Sequence, residues 1–153
     1  MQKKFETAIL ILILISAFAE ISIAADWVQV ASSDLSNVFV DVQSIKRTGQ
    51  KVKVWTKWVY NKPFVVSGSE STKPVKVEKS LIVFLCDKRK FASLDTTQYA
   101  EQESPANVVS KVSHEDTPSL QYNDINPGSL GEITMDYVCK RISPKKSMSN
   151  KEQ

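Results

Sequence analysis

The clearest pattern in the chain is Lys51-Val52-Lys53-Val54-Trp55-Thr56-Lys57-Trp58-Val59-Tyr60. In extended conformation Val52, Val54, Thr56, Trp58 and Tyr60 project to one side, and Lys51, Lys53, Trp55, Lys57 and Val59 to the other. Period-two alternation rich in β-branched and aromatic residues predicts a strand with one buried and one wetted face. Trp55 sits among the lysines, yet large aromatics are usually well buried. The expectation is therefore that Trp55 faces the core beneath a covering helix and Trp58 faces outward. The competing reading makes Trp55 an exposed partner contact flanked by Lys53 and Lys57.

Two shorter strands precede this one, Trp27–Ala31 and Asn37–Val42, separated by the polar Ser32-Ser33-Asp34. Gln43-Ser44-Ile45 reads as a single turn, and Arg47-Thr48-Gly49-Gln50 as a tight turn with glycine where positive φ is needed. Strands joined by such short connections pair antiparallel. Asn61–Lys73, broken by Pro63 and Gly68 and closed by Pro74, reads as a surface loop. Val75–Ser80 alternates again. Leu81–Cys86 is then apolar without interruption, as expected of a central strand covered on both faces. After a charged turn at Lys88-Arg89-Lys90, Phe91–Tyr99 and Asn107–Ser113 read as two more strands, and Glu115–Asn126 as irregular polar chain. Pro127-Gly128-Ser129 opens a helix, with Ser129 as N-cap and Glu132 completing a capping box. Leu130, Ile133 and Tyr137 form its apolar stripe, and Pro144 ends it, near Cys139.

The N-terminus adds an export signal. Lys3 and Lys4 precede an apolar run from Ala8 to Ile15, which small residues extend to Ala19. Spanning a bilayer core takes about 20 apolar residues, so the run predicts a secretory signal peptide over residues 1–24, not an anchor. Ser22-Ile23-Ala24 fits the small-x-small rule, with cleavage after Ala19 or Ala25 as alternatives. No cysteine near these positions would carry a lipid. The mature protein is thus expected to be exported without a transmembrane span, to the periplasm or to the extracellular side of the cell surface.

Charge divides the rest. The formal net charge is +3, but residues 26–139 hold 13 basic against 14 acidic side chains, while residues 140–153 hold five basic residues against Glu152. The body is nearly neutral, which argues against a nucleic-acid partner. The organisation predicted is one domain over 25–140 followed by a basic disordered tail at 141–153.

Cys86 and Cys139 are the only cysteines. In an exported chain they read as one structural disulfide, clamping the last helix onto the central strand. A redox pair would usually be C-x-x-C, and a closed metal site needs four ligands. The sole histidine, His114, lies beside Glu115 and Asp116, but consecutive extended residues point to opposite faces and do not converge on a metal. No nucleophile elbow or glycine-rich phosphate loop is present. Carboxylates such as Asp95, Glu101 and Glu103 read as solubilising charges. No catalytic, cofactor-binding or metal-binding residue is assigned, and the chain reads as a non-enzyme.

Trp27, Asp41-Val42-Gln43-Ser44-Ile45, Val52-Lys53-Val54-Trp55, Cys86, Tyr99, Pro127-Gly128-Ser129 and Cys139 occur in an order that resembles the surface-adhesin protein E family of Gram-negative bacteria. The resemblance spans roughly Asp26 to Lys140. It implies an α+β, mainly β fold, with a single antiparallel sheet of about six strands, a C-terminal helix packed on it and a disulfide joining the two. It further implies a binding module for host matrix or serum proteins. The family's namesake is anchored by a lipidated cysteine at its mature N-terminus, and this chain departs from that pattern. A periplasmic accessory protein that recognises another envelope component is the alternative. Antiparallel sheets also offer an edge strand through which a homodimer can form.

Overall fold

A computed structural model describes residues 24–67 and 71–142. Almost all of the expected signal peptide, and residues 143–153 of the expected tail, lie outside the described residues.

The chain folds into strands β1 (Trp27–Ser32), β2 (Ser36–Asp41), β3 (Lys46–Thr48), β4 (Lys51–Phe64), β5 (Val75–Leu85), β6 (Lys90–Tyr99), β7 (Val108–Ser113) and β8 (Asn123–Asp124). One helix, α1 (Leu130–Ile142), follows. The sheet runs β1-β2-β4-β5-β6-β7, with β3 added to β4 and β8 to β6. Every pairing is antiparallel. This is the α+β, mainly β architecture expected, a six-strand path carrying two short additional strands.

β4 and β5 hold the centre because they are long and alternate cleanly. Val52 stands opposite Phe84 and Val54 opposite Ile82. Val83 and Phe84 point to opposite faces and are both buried, as the apolar run required. Pro63 does not end β4. The strand pairs β2 only as far as Tyr60, and its register with β5 shifts between Val59 and Phe64, so the missing N–H sits in an interrupted stretch of the ladder.

The helix packs on the face carrying Val40, Val52, Val54 and Phe84 and contributes Met135 and Val138 to that cluster. The expected stripe is therefore shifted. Met135 is 1% and Val138 0% exposed, whereas Ile133 is 47% exposed. Leu130 and Tyr137 lie at the flanks, half-buried. Thr134 takes the core side as well, because its hydroxyl donates to the Leu130 carbonyl (2.7 Å) and is satisfied within the helix.

Trp55 also departs from expectation. The helix covers the Val52/Val54 face, so Trp55 lies on the opposite, lysine-bearing face and is half-buried there. Trp58 is on the helix side. Alternation decided the matter; the general tendency of tryptophan to be buried did not.

The cap is a variant of the predicted box. The Glu132 N–H donates to Ser129 Oγ (3.1 Å), but the Glu132 carboxylate accepts from the Gly128 N–H (2.7 Å). The Ser129 N–H already donates to the Asn126 carbonyl (3.3 Å), so the glutamate takes the donor one residue earlier. The helix runs through Arg141 and Ile142, a turn past Cys139 and into the stretch expected to be tail.

Met135→Ala is expected to destabilise by about 2–5 kcal/mol in urea unfolding, the usual cost of emptying a filled core site. Ile133→Ala should stay within about 0.5 kcal/mol, as at an exposed position. The reverse order would mean that the helix presents the other face.

Candidate functional site

On the helix-bearing face the sheet extends beyond the helix N-terminus, and a groove of about 620 Å³ opens there. β4 supplies Thr56, Trp58 and Tyr60 to it, β5 supplies Glu78, Ser80 and Ile82, and β6 supplies Phe91, Ser93 and Thr96. The chain from Asn123 through Gly131 builds the opposite wall.

The floor is a connected polar network. Thr56 Oγ1 donates to the Ser80 carbonyl (3.3 Å), and Ser80 and Thr96 hydroxyls share a hydrogen bond of 3.0 Å. Thr96 in turn meets Ser93 at 2.7 Å. Ser80 also donates to Glu78 Oε1 (3.4 Å), and Gln98 Nε2 donates to Glu78 Oε2 (2.9 Å). Gln98 is held by Ser110, whose hydroxyl donates to its Oε1 (2.8 Å). Thr56 and Ser80 are buried, and buried polar groups need such partners.

Ser93 and Thr96 are three residues apart and should point to opposite faces of a regular strand. The β5–β6 register shifts here, with Ile82 opposite Ser93 and Leu81 opposite Asp95, so Leu94 is an extra residue. That bulge places both hydroxyls on one face.

Above this floor stand Trp58 and Tyr60. Trp58 pairs directly across from Glu78. Tyr60 packs edge-to-face on Phe64, with ring centroids 4.9 Å apart. Burial, with the negative charge of Glu78 adding to it, pushes the Tyr60 hydroxyl above its ordinary pKa, so it stays neutral at any ordinary pH.

The opposite face of the sheet is neutralised by its own loops. Lys57 Nζ lies 4.5 Å from the Trp27 ring centroid, and Lys79 lies 5.6 Å from those of both Trp27 and Trp55. Glu103 ties both lysines, at 3.2 Å each. At the other end of the face, Asp116 reaches from the β7–β8 connection to Lys51 (2.5 Å) and Lys53 (2.8 Å). Hydrogen bonds from Lys51 and then Lys53 hold the Asp116 carboxyl below its usual range. The same bond to Asp116 raises Lys51. Glu103 and Asp95, read from sequence as solubilising, are both engaged; Asp95 accepts from the Ser113 hydroxyl at 2.5 Å.

Cys86 and Cys139 are bonded, with S–S 2.02 Å and Cα–Cα 5.9 Å. The bridge joins the turn after β5 to the last turns of α1. Arg89, at a left-handed φ of 52°, reinforces it by pairing with Glu132 and with Asp136 (3.2 Å). His114 is exposed on a shallow recess shared with Glu115, Thr117 and Ser119. Its backbone N–H donates to the Leu94 carbonyl (2.6 Å), while its imidazole makes no hydrogen bond, so nothing orients it as a base. Asp116 has turned away to the lysines. Among the described residues, no three His, Cys, Asp or Glu side chains come together in a way that could hold a metal. Nor is any helix among them long and apolar enough to cross a membrane.

Sequence reasoning did not find the groove. Thr56 and Ser80, polar residues on the inward parity of β4 and β5, were the available signal. The bulge that completes the floor has none.

The family model described as surface-adhesin protein E matches residues 27–140. Among solved structures, the chain is similar to Haemophilus influenzae protein E, at 11% identity and TM-score 0.50, covering 80% of this chain and 89% of that one. A second, protein E from non-typeable Haemophilus influenzae, aligns at 12% identity and TM-score 0.48, covering 79% and 80% respectively. At such identities the likeness is one of fold. No curated protein matches the chain.

Because its folded pKa lies below the ordinary 3.8, Asp116 contributes stability that is present above that value and is lost as pH falls through the lower one. Asp116→Asn should lower the melting temperature at pH 7 by about 2 °C or less, a typical effect for an exposed ion pair. Native and variant melting curves should converge in strong acid. A constant gap at every pH would contradict the charge-based account.

Proposed function

This chain belongs to the surface-adhesin protein E family, and from that membership we propose an exported, non-enzymatic module that binds a protein partner through the groove beside α1. In this reading residues 1–24 are a secretory signal peptide removed on export. Residues 25–140 are the binding domain, and the basic residues that follow form a tail. The partner is a host extracellular-matrix or serum protein met at the cell surface.

The observation that carries the reading is the groove itself. It is open and aromatic-walled, and its floor hydroxyls are committed to one another and to the Glu78 carboxylate, with no histidine in the lining. Catalysis needs convergent groups whose protonation is tuned to the reaction. Recognition needs what is present: large rigid aromatics at the rim, and polar groups already positioned by a stiff sheet.

Fractionating cells that express the full chain, then capturing the mature protein on immobilised laminin and vitronectin, tests the proposal. The expected result is surface-exposed protein that is captured, with Trp58→Ala weakening capture about tenfold or more, as for an aromatic anchor. Protein confined to the periplasm and captured by neither would overturn the adhesin reading in favour of an envelope accessory role.

A further inference from the structure

Resting on that reading, we infer that the Glu78 end of the groove takes an alkylammonium group, the tip of a lysine side chain presented by the partner protein. The argument is one of charge accounting. Asp124, on the groove wall, is paired with Lys90 at 3.0 Å. At the helix N-terminus, Ser129 Oγ takes the Glu132 N–H and the Glu132 carboxylate takes the Gly128 N–H. Glu132 and Asp136 are in turn paired with Arg89. The positive end of the helix, which by itself would favour an anion, is thereby answered from within the chain.

Glu78 differs. It is half-buried, and its hydrogen-bond donors, Ser80 and Gln98, are both neutral. Lys62 and Lys76, the next residues of the same parity on β4 and β5, are exposed and make no ion pair with it. Neutral donors orient the carboxylate but leave its charge uncompensated, and a partly buried charge without a counter-charge is costly. Trp58 stands opposite Glu78 in register and Tyr60 is the next residue of the same face. A cation seated there gains the carboxylate with two aromatic side chains beside it. Each Glu78 oxygen already accepts one bond and keeps a lone pair, which a point-like ammonium can take without the coplanar alignment that a guanidinium fork requires. The apolar stem of a lysine has Ile82 and Phe91 to lie along.

The test titrates the mature protein, by calorimetry and Trp fluorescence, with three probes. They are a short blocked lysine peptide, its norleucine counterpart, and free 1,5-diaminopentane. The lysine peptide should bind about tenfold or more tightly than the norleucine one, the order expected of a cation meeting a partly desolvated carboxylate and ring faces. Glu78→Gln, which keeps the side-chain volume and a hydrogen-bonding amide, should erase that preference with little change in melting temperature. Diaminopentane binding as tightly as the lysine peptide would uphold the alkylammonium site with a free amine as its source. Equal affinity for lysine and norleucine peptides would overturn the inference, and that comparison needs no variant. So would an unchanged lysine preference in Glu78→Gln. If host-protein capture persists in Glu78→Gln, the binding-module reading stands and the cation assignment alone falls.

Discussion

The covalent link between Cys86 and Cys139 is what gives the helix a fixed place. A 13-residue helix is marginal by itself in water, and α1 buries only a narrow strip led by Met135 and Val138. The bridge holds its last turns beside the end of the central strand β5. Arg89, just past the bridged turn, reaches Glu132 and Asp136 on successive turns of the helix. Together these contacts prevent the helix from rolling or sliding along the valine face. Because its N-terminal residues form a wall of the groove, the geometry of the groove follows from a restraint at the far end of the same element.

The two faces of the sheet balance charge in different ways. On the lysine face two loop acids each bridge a pair of bases. Asp116 spans Lys51 and Lys53, and Glu103 spans Lys57 and Lys79, above the rings of Trp27 and Trp55. That closure accounts for an otherwise awkward row of lysines beside tryptophans, and leaves that face little unmet charge for a partner to exploit. On the helix face the groove floor is built of neutral, mutually bonded hydroxyls, and Glu78 is the floor acid whose hydrogen-bond partners are all neutral. The asymmetry supports the proposed placing of the recognition surface on the helix face.

Much of this was legible from residues alone. Alternation in Lys51–Tyr60 and the apolar run at Leu81–Cys86 identify the central strands, because burial on one or both faces writes itself directly into the pattern. The turn expected at Gln43–Ile45 was legible to within a residue, falling at Val42–Ser44, since its chemistry is local. Asp41 caps the Gln43 N–H (3.1 Å), and Ser44 donates to the Asp41 carbonyl (2.7 Å). The burial of the helix was misread because Leu130, Ile133 and Tyr137 fit an i, i+3, i+7 stripe, whereas the side that meets the sheet carries Thr134, Met135 and Val138. The groove left only a faint trace, the inward-facing polar Thr56 and Ser80. It depends on the bulge at Leu94 and on which lysines find which carboxylates, and both are long-range outcomes of register.

The central claim is that the bridge seats the helix and so shapes the groove. Hydrogen–deuterium exchange of the oxidised protein and of the Cys86→Ser/Cys139→Ser variant tests it directly. A crosslink closing a 53-residue separation is worth about 4 kcal/mol on loop entropy. The account predicts a loss of that order, with amides in Leu130–Ile142 exchanging markedly faster and those of β4 and β5 remaining the most protected. Equal acceleration throughout the sheet and helix, or no change in the helix, would contradict it.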